Sequence, residues 1–169
     1  MLGKQPLFMK GVHMKKFLSF TVFLSLSSSA FASTTGTLLL QGVVAKKVTI
    51  AVTSGTVASA LDLETTQSDL KVATVNEQSN SKTGYKLSIT SANLGKLKRT
   101  DGAEVFNYTL KYGGSAVGLT TASGTVFTNS AGSVVNVTKD LAISYTGVSG
   151  SLMVEGTYAD TITMNIAAN

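Results

Sequence analysis

The sequence predicts an all-β fold, with residues 45–169 forming one antiparallel β-sandwich domain. Residues 33–169 contain 22 Thr and 15 Ser together with many Val, Ile and Tyr, and most of these residue types suit pleated, half-buried strands. Apolar and polar residues alternate with a period of two, as in strands with one buried face. Turn-forming pairs recur at intervals of roughly ten residues, a spacing typical of sandwiches rather than of β-α units.

Residues 1–32 are predicted to be a signal peptide. Lys15 and Lys16 precede an apolar run at 17–26, and the small-x-small cleavage pattern Ala30-Phe31-Ala32 follows. The apolar run is shorter than the roughly 20 residues that span a bilayer. Met14 is an alternative start, because residues 14–32 form a complete signal peptide. We expect an exported chain without a transmembrane segment, whose mature form begins at Ser33.

Five runs of alternating apolar residues predict the strands. They are Val48/Ile50/Val52, Tyr85/Leu87/Ile89, Phe106/Tyr108/Leu110/Tyr112, Leu141/Ile143/Tyr145 and Ile162/Met164/Ile166. The predicted turns are Ser54-Gly55, Asn80-Ser81, Asp101-Gly102, Gly113-Gly114, Gly132-Ser133 and Ser149-Gly150. The parity of these runs places the aromatic residues Tyr85, Phe106, Tyr108 and Tyr112 in the core rather than on a surface.

Composition and charge exclude several classes of function. The formal charge of +5 comes largely from the leader, since residues 33–169 carry ten basic and nine acidic side chains, and this argues against nucleic-acid binding. The single His is His13, and the chain has no Cys. The mature chain therefore cannot form Ser-His-Asp or Cys-His catalytic groups, or zinc sites built on Cys and His. We expect no enzymatic activity, no cofactor and no metal site.

The remaining candidates for chemistry are carboxylates. Asp62 and Glu64 lie on one face of a candidate strand, about 7 Å apart, as in the paired carboxylates of a hydrolase. Leu61 and Leu63 take the opposite face, so the alternative is that both acids simply face water. Asp160 shares the parity of inward-facing neighbours, and we expect it to be hydrogen-bonded at a sheet edge.

Two surface features allow a binding function. Lys96, Lys98 and Arg99 form a basic cluster, which we place in a loop or hairpin tip. It is either a solvated loop or a contact for an anionic polysaccharide or lipid head group. Phe127, in a predicted loop at 124–130, is the best candidate for an exposed aromatic residue that binds carbohydrate.

Three segments resemble chaperone-usher pilins and the related fimbrial and spore-coat-U-like secreted proteins. Residues 36–52 (GTLLLQGVVAKKVTIAV) are similar to the start of mature pilins, and residues 79–93 (SNSKTGYKLSITSAN) resemble their Ser- and Asn-rich hairpins. Residues 156–169 (GTYADTITMNIAAN) are similar to the pilin C-terminal strand, with Gly156 fourteenth from the C terminus. The chain departs from the pattern in having no Cys for the usual disulfide, and Ala168 where an aromatic residue is usual.

The resemblance implies an immunoglobulin-like sandwich that is incomplete and is completed by a donated strand. Residues 33–44 would be an N-terminal extension that fills the groove of the next subunit. The resemblance assigns the donor strand to Gly36, Leu38, Leu40 and Gly42, with the two leucines pointing inward. It assigns the acceptor groove to Gly156, Ile162, Met164 and Ile166. The alternative is that residues 38–40 belong to an ordinary first strand of a complete sandwich.

The function that follows from the resemblance is that of a structural subunit of a surface fibre, a fimbria or pilus that supports adhesion. Strand donation is a head-to-tail contact that does not close, so it produces a fibre. The resemblance implies other subunits, a periplasmic chaperone and an usher as partners, and a chaperone would protect an open edge that invites uncontrolled pairing. The chain would cross the periplasm to the cell surface. The alternative is a monomeric carbohydrate-binding module of the periplasm or cell surface.

Overall fold

The computed structural model describes residues 35–169, and the predicted signal peptide lies outside them. Residues 42–169 form one compact unit, which contains every strand of the described chain. Residues 35–47 contain no strand or helix. The described part of the chain offers no helix of the length and apolar character that a membrane span requires.

Eleven strands and two short 3-10 helices make up the regular structure of residues 35–169. The strands are β1 (Val48–Ser54), β2 (Gln67–Ser79), β3 (Tyr85–Ser91), β4 (Lys96–Arg99), β5 (Val105–Asn107), β6 (Thr109–Tyr112), β7 (Ser115–Val117), β8 (Thr125–Asn129), β9 (Val135–Tyr145), β10 (Tyr158–Ala159) and β11 (Ile162–Ala168). The 3-10 helices are Thr56–Ser59 and Gly150–Leu152.

The strands form three antiparallel sheets. The large sheet has the order β1-β2-β9-β6-β7, the second sheet has the order β11-β3-β8, and the small third sheet has the order β10-β4-β5. Every strand pair in residues 35–169 is antiparallel. The predicted all-β antiparallel fold is confirmed.

The core lies between the inner faces of the sheets, as expected for a sandwich. The large sheet contributes Val75 and Leu110, and the second sheet contributes Leu87 and Ile89, each at most 1% exposed. The four aromatic residues predicted for the core are buried, with Tyr108 the most exposed of them at 9%. Phe106 packs edge-to-face against Tyr145, with ring centroids 5.4 Å apart.

The predicted strands are confirmed in β1, β3, β9 and β11. The predicted run at 106–112 is split at Tyr108, because β5 pairs with β4 in the small sheet whereas β6 pairs with β7 and β9 in the large sheet. The alternation of buried and exposed residues continues across the break. The chain therefore changes sheets here without reversing the face that it buries.

The six predicted turns all fall at strand ends or between strands. Gly113 and Gly114 join β6 to β7, with φ of 55° and 82°. A two-residue hairpin turn of the I′ type needs positive φ at both central residues, and glycine adopts it without steric cost.

Candidate functional site: an open groove between two strand edges

Two strands that end their sheets face each other across the sandwich. β1 is the outer strand of the large sheet and β11 is the outer strand of the second sheet, and within residues 35–169 each has a single strand neighbour. The two strands approach each other without pairing. Each of the two edges thus lacks a paired strand on its outer side within residues 35–169, as at other exposed sheet edges.

The gap between these edges contains a cleft of about 300 Å³. We call the gap, with this cleft, the groove. Val52 of β1 lines one wall, and Ile162 and Met164 of β11 line the other. The remaining lining is mainly apolar and consists of Ser54, Ala58, Leu61, Val72, Ala73, Leu97, Tyr108, Leu110, Leu141, Ile143 and Asp160. The core is thus accessible along this side.

The inward-facing residues of the two edge strands are incompletely buried. Val52 is 49% exposed, although Val75 directly opposite it on β2 is 0% exposed. Met164 is half-buried, although Ile89 opposite it on β3 is 0% exposed. The alternation is correct in both strands, so what these side chains lack is a neighbour on the groove side.

The segment that precedes β1 carries exposed apolar residues. Leu38, Leu39 and Leu40 are each 82% exposed, and Val43 and Val44 are each 88% exposed. Large contiguous apolar patches are unusual on monomeric proteins and mark interaction sites, ligand grooves or aggregation-prone surfaces.

The structure brings together two of the four residues assigned to the acceptor groove. Ile162 and Met164 line the cleft, and Ile166 lies on the same face of β11, packed against the core. Gly156 lies elsewhere, in the loop before β10, where a Cβ atom would meet the Arg99 side chain at 2.9 Å. Its φ of 147° is one that other residues rarely adopt, so its role in this structure is in the loop.

Asp160 lies at the end of the groove where β11 begins, and its carboxylate accepts hydrogen bonds from several neighbouring segments. Its Oδ2 accepts hydrogen bonds from Ser91 Oγ at 2.5 Å and Tyr108 Oη at 2.7 Å, and its Oδ1 accepts one from the Asn93 amide at 3.0 Å. Burial raises the pKa of Tyr108, and the hydrogen bond to Asp160 raises it further. Asp160 is hydrogen-bonded at a sheet edge as predicted, and it holds neighbouring strands in place.

A buried polar cluster, which the sequence did not suggest, joins the two main sheets away from the groove. Glu77 on β2 is 1% exposed and accepts hydrogen bonds from Tyr85 Oη at 2.5 Å and from Tyr112 Oη. Lys139 Nζ lies 3.1 Å from Glu77 Oε2 and 5.0 Å from the centre of the Tyr112 ring. We call these four residues the Glu77 cluster.

Hydrogen bonding keeps the buried Glu77 ionised. Burial alone would raise its pKa, but the hydrogen bonds from Tyr112, Tyr85 and Lys139 outweigh this effect and lower the pKa below its ordinary value. In return, burial and then the bond to Glu77 raise the pKa of Tyr85. Each polar group of the cluster thus has a partner, as a buried charge requires.

The hypothesis of paired carboxylates on a strand is wrong. Asp62 and Glu64 lie in a loop between the first 3-10 helix and β2, and both are exposed. The Glu64 amide donates to Asp62 Oδ1 at 3.1 Å. A hydrogen bond from Thr65 is the main cause that lowers the pKa of Asp62. The two acids face water, as in the alternative interpretation.

The two predicted surface loops are strands. Lys96, Lys98 and Arg99 lie in β4, and Arg99 Nε forms an ion pair with Glu104 Oε2 at 2.8 Å. Phe127 lies in β8 and packs edge-to-face against Tyr112 at 5.4 Å between ring centroids. The carbohydrate-binding interpretation loses its candidate residue, because this ring packs against the core.

Across residues 35–169, no three His, Cys, Asp or Glu side chains are grouped so that they could hold a metal ion. No protein-family model matches the sequence, and no curated protein matches it. Among solved structures, the chain matches the minor tip subunit of the E. coli Hda pilus, HdaB, with 13% identity and a TM-score of 0.37. The match covers 70% of this chain and 79% of that chain. At these values, the function has to be inferred from the groove and the exposed segment themselves.

Proposed function

We propose that the protein is a structural subunit of a surface fibre that assembles by strand donation and supports adhesion. The observation that carries this proposal is the groove, in which the inner faces of two unpaired edge strands remain partly exposed over an open core. Residues 33–44 of one copy are the donor strand, and the groove of the next copy is the acceptor.

The exposed segment has the side-chain pattern that the groove needs. In an extended strand, Leu38 and Leu40 point to the same face and Leu39 to the other. The inward pair would cover Val52, Ile162 and Met164, while backbone hydrogen bonds to β1 and β11 supply the pairing. Each copy both donates and accepts, so the contact propagates without closing.

A donated strand also gives a reason for glycine at positions 36 and 42, which the isolated chain does not. Neither has a positive φ, and a Cβ atom at either position would meet nothing within 4 Å. Nothing in this structure therefore requires glycine at these positions. A backbone that approaches an acceptor closely at these two points would require it.

Before assembly, the open groove is a hazard, since unpaired edges template aggregation. We propose that a periplasmic chaperone covers it during export and that an usher directs the exchange at the outer surface. Polymerisation then brings the subunit to the cell surface.

The test compares the mature chain, residues 33–169, with two variants. We expect the unaltered chain to form polymers in sedimentation velocity and filaments in electron micrographs. Leu38→Asp with Leu40→Asp, which we call the non-donating chain, is expected to remain a folded monomer, because a charge cannot enter the apolar groove. Leu39→Asp is the matched control and is expected to polymerise.

A synthetic peptide of residues 33–42 is expected to bind the non-donating chain and to raise its melting temperature in a saturable way. Two results would overturn the proposal. One is an unaltered chain that stays monomeric yet melts well above the non-donating chain, because its extension would then complete its own sandwich. The other is a monomer that ignores the peptide.

A further inference from the structure

We propose that successive copies also meet through a second contact beyond the donated strand. In this contact, the segment Val43 to Lys47 of the donor copy docks on an acidic hollow at the end of the acceptor groove. The inference rests on the proposed strand donation. It concerns the surface of the acceptor copy beside the point where the donated strand leaves the groove. The occupant is a second copy of this chain.

The hollow is a depression of about 500 Å³ in the loops that precede β2 and β10. Leu61, Leu63 and Met153 contribute apolar lining, and Asp62, Glu64 and Glu155 contribute three exposed carboxylates. We call it the acidic hollow. Leu61 also lines the groove cleft, so the two depressions adjoin. Within residues 35–169, none of the three carboxylates has an ion-pair partner.

The opposite end of the domain is basic. Lys46 and Lys47 directly precede β1, and Lys82 lies in the turn that follows β2. Asn80 fixes this end, because its side chain accepts a hydrogen bond from the Lys47 amide at 2.6 Å and donates one to the Ala45 carbonyl oxygen at 2.9 Å. The segment is thus apolar at Val43 and Val44, then cationic at Lys46 and Lys47, which complements the acidic hollow.

These charges select one direction for the donated strand. Val52 and Ser54 share the cleft with Ile162 and Met164, so β1 ends where β11 begins. A donor that runs antiparallel to β11 leaves the groove at this end, beside the acidic hollow. A donor in the opposite direction would leave near Lys82, where its own lysines would be repelled.

The chain between the two contacts is six residues long. Lys46 lies six residues after Leu40, which corresponds to about 20 Å of extended chain. Arg99 is a positive group at the rim, since its Nη1 donates to the Glu155 carbonyl oxygen at 3.2 Å. Its charge is offset by Glu104 at 2.8 Å and Asp101 at 3.5 Å. The rim therefore stays negative toward an approaching lysine.

The experiment measures the binding of two synthetic peptides to the non-donating chain by calorimetry. One peptide covers residues 33–42 and the other covers residues 33–47. We expect the longer peptide to bind about tenfold more tightly at low salt, as two added ion pairs and two apolar side chains permit. We expect most of this gain to vanish in 0.5 M NaCl because of charge screening.

Two matched controls locate the contact. A longer peptide with Lys46→Glu and Lys47→Glu is expected to lose the charge-dependent gain. A non-donating chain with Asp62→Asn, Glu64→Gln and Glu155→Gln is expected to lose it too, while its affinity for the shorter peptide stays unchanged. The unchanged affinity also shows that this variant is folded.

The outcomes distinguish failure of the second contact from failure of strand donation. If the shorter peptide binds and the longer one binds equally, the second contact is absent and strand donation stands. If the gain survives salt and both controls, Val43 and Val44 alone produce it, and the charge-selected direction is wrong. If neither peptide binds, strand donation itself fails and the second contact fails with it.

Discussion

β3 and β11 are neighbouring strands of the second sheet, and in both of them apolar and polar residues alternate. The inward-facing residues of β3 are fully buried, whereas those of β11 are not. Leu87 and Ile89 of β3 are 0% exposed, whereas their partners Ile166 and Met164 of β11 are only half-buried. The pair β1 and β2 repeats the difference with Val52 and Val75. The sandwich is complete in its middle and open along one side.

This comparison shows that burial is complete between β2 and β3 and only partial along the two edge strands β1 and β11. The closed part is held by apolar packing and by the Glu77 cluster, which joins the sheets in a chain without Cys. The open part has apolar walls but no covering strand within residues 35–169. The experiments below compare substitutions in the closed part with substitutions in the open part. All unfolding free energies are measured in the non-donating chain.

The largest loss of stability is expected in the closed part, on replacing Glu77. Glu77→Ala leaves the Tyr85 and Tyr112 hydroxyl groups and the Lys139 ammonium group without their shared acceptor. The loss is expected to be about 3–5 kcal/mol in urea-unfolding experiments. Asp140→Ala, which breaks the exposed 2.6 Å ion pair with Lys71, is the matched control and is expected to cost less than about 1 kcal/mol. Equal losses would contradict the structural role of the cluster.

The two members of one registered pair should differ in the same way. Ile89→Ala removes a buried side chain and is expected to cost about 2–5 kcal/mol. Met164→Ala, directly opposite, is expected to cost only about 1 kcal/mol, because part of that side chain is already solvated. The Met164 side chain should contribute to peptide binding as well, so Met164→Ala is also expected to weaken binding of the peptide 33–42. If Met164→Ala is as costly as Ile89→Ala and leaves the peptide affinity unchanged, the groove is closed in solution.

The pH dependence of stability sharpens the account of the closed part. Because the folded pKa of Glu77 lies below its ordinary value, its contribution is present near neutral pH and is lost as the pH falls through the folded pKa. Glu77→Gln removes this contribution, so the stability gap between the two chains should narrow at acidic pH. Other carboxylates with a lowered pKa, such as Asp69, are present in both chains and cancel. A gap that is constant from pH 7 to pH 2 would contradict an ionised Glu77.

The smallest change in stability is expected in the segment before β1. Gly42→Val should alter the unfolding free energy by less than about 0.5 kcal/mol, since the new side chain meets nothing in the isolated chain. The same substitution in the peptide 33–42 is expected to weaken its binding, because a close backbone approach would be blocked. Calorimetry checks the binding and urea unfolding checks the stability. Unchanged binding would place Gly42 outside the donated strand.

Strand alternation predicted much of the fold, and its failures have physical causes. β2 escaped prediction because its inward face includes Glu77, whose charge is tolerated only through partners on three other strands. β4 escaped because Lys96 and Lys98 are exposed on its outer face and, together with the adjacent Arg99, resemble a solvated loop. Asp62 and Glu64 alternate with two leucines as in a strand, but the segment is a loop.

The candidate site was predictable only in part. Alternation in β11 indicates which side chains face inward, and Ile162 and Met164, which the resemblance assigns to the acceptor groove, line the cleft. Whether an edge has a neighbour depends on the sheet order, which pairs β11 with β3 alone. Gly156 was assigned by its distance from the C terminus, and the structure places it in the loop before β10, beside the Arg99 side chain.

The most direct test of the central proposal is backbone hydrogen exchange in the non-donating chain, with and without the peptide 33–42. In β1 and β11, some backbone amides point toward the groove, away from the one strand with which each is paired. We predict that these amides exchange rapidly in the free chain and become protected when the peptide binds, because a strand would then pair with both edges. The amides of β7 and β8, the edges on the other side of the same sheets, should not change. A peptide that binds without protecting β1 and β11, or that protects β7 or β8 instead, would contradict strand donation into this groove.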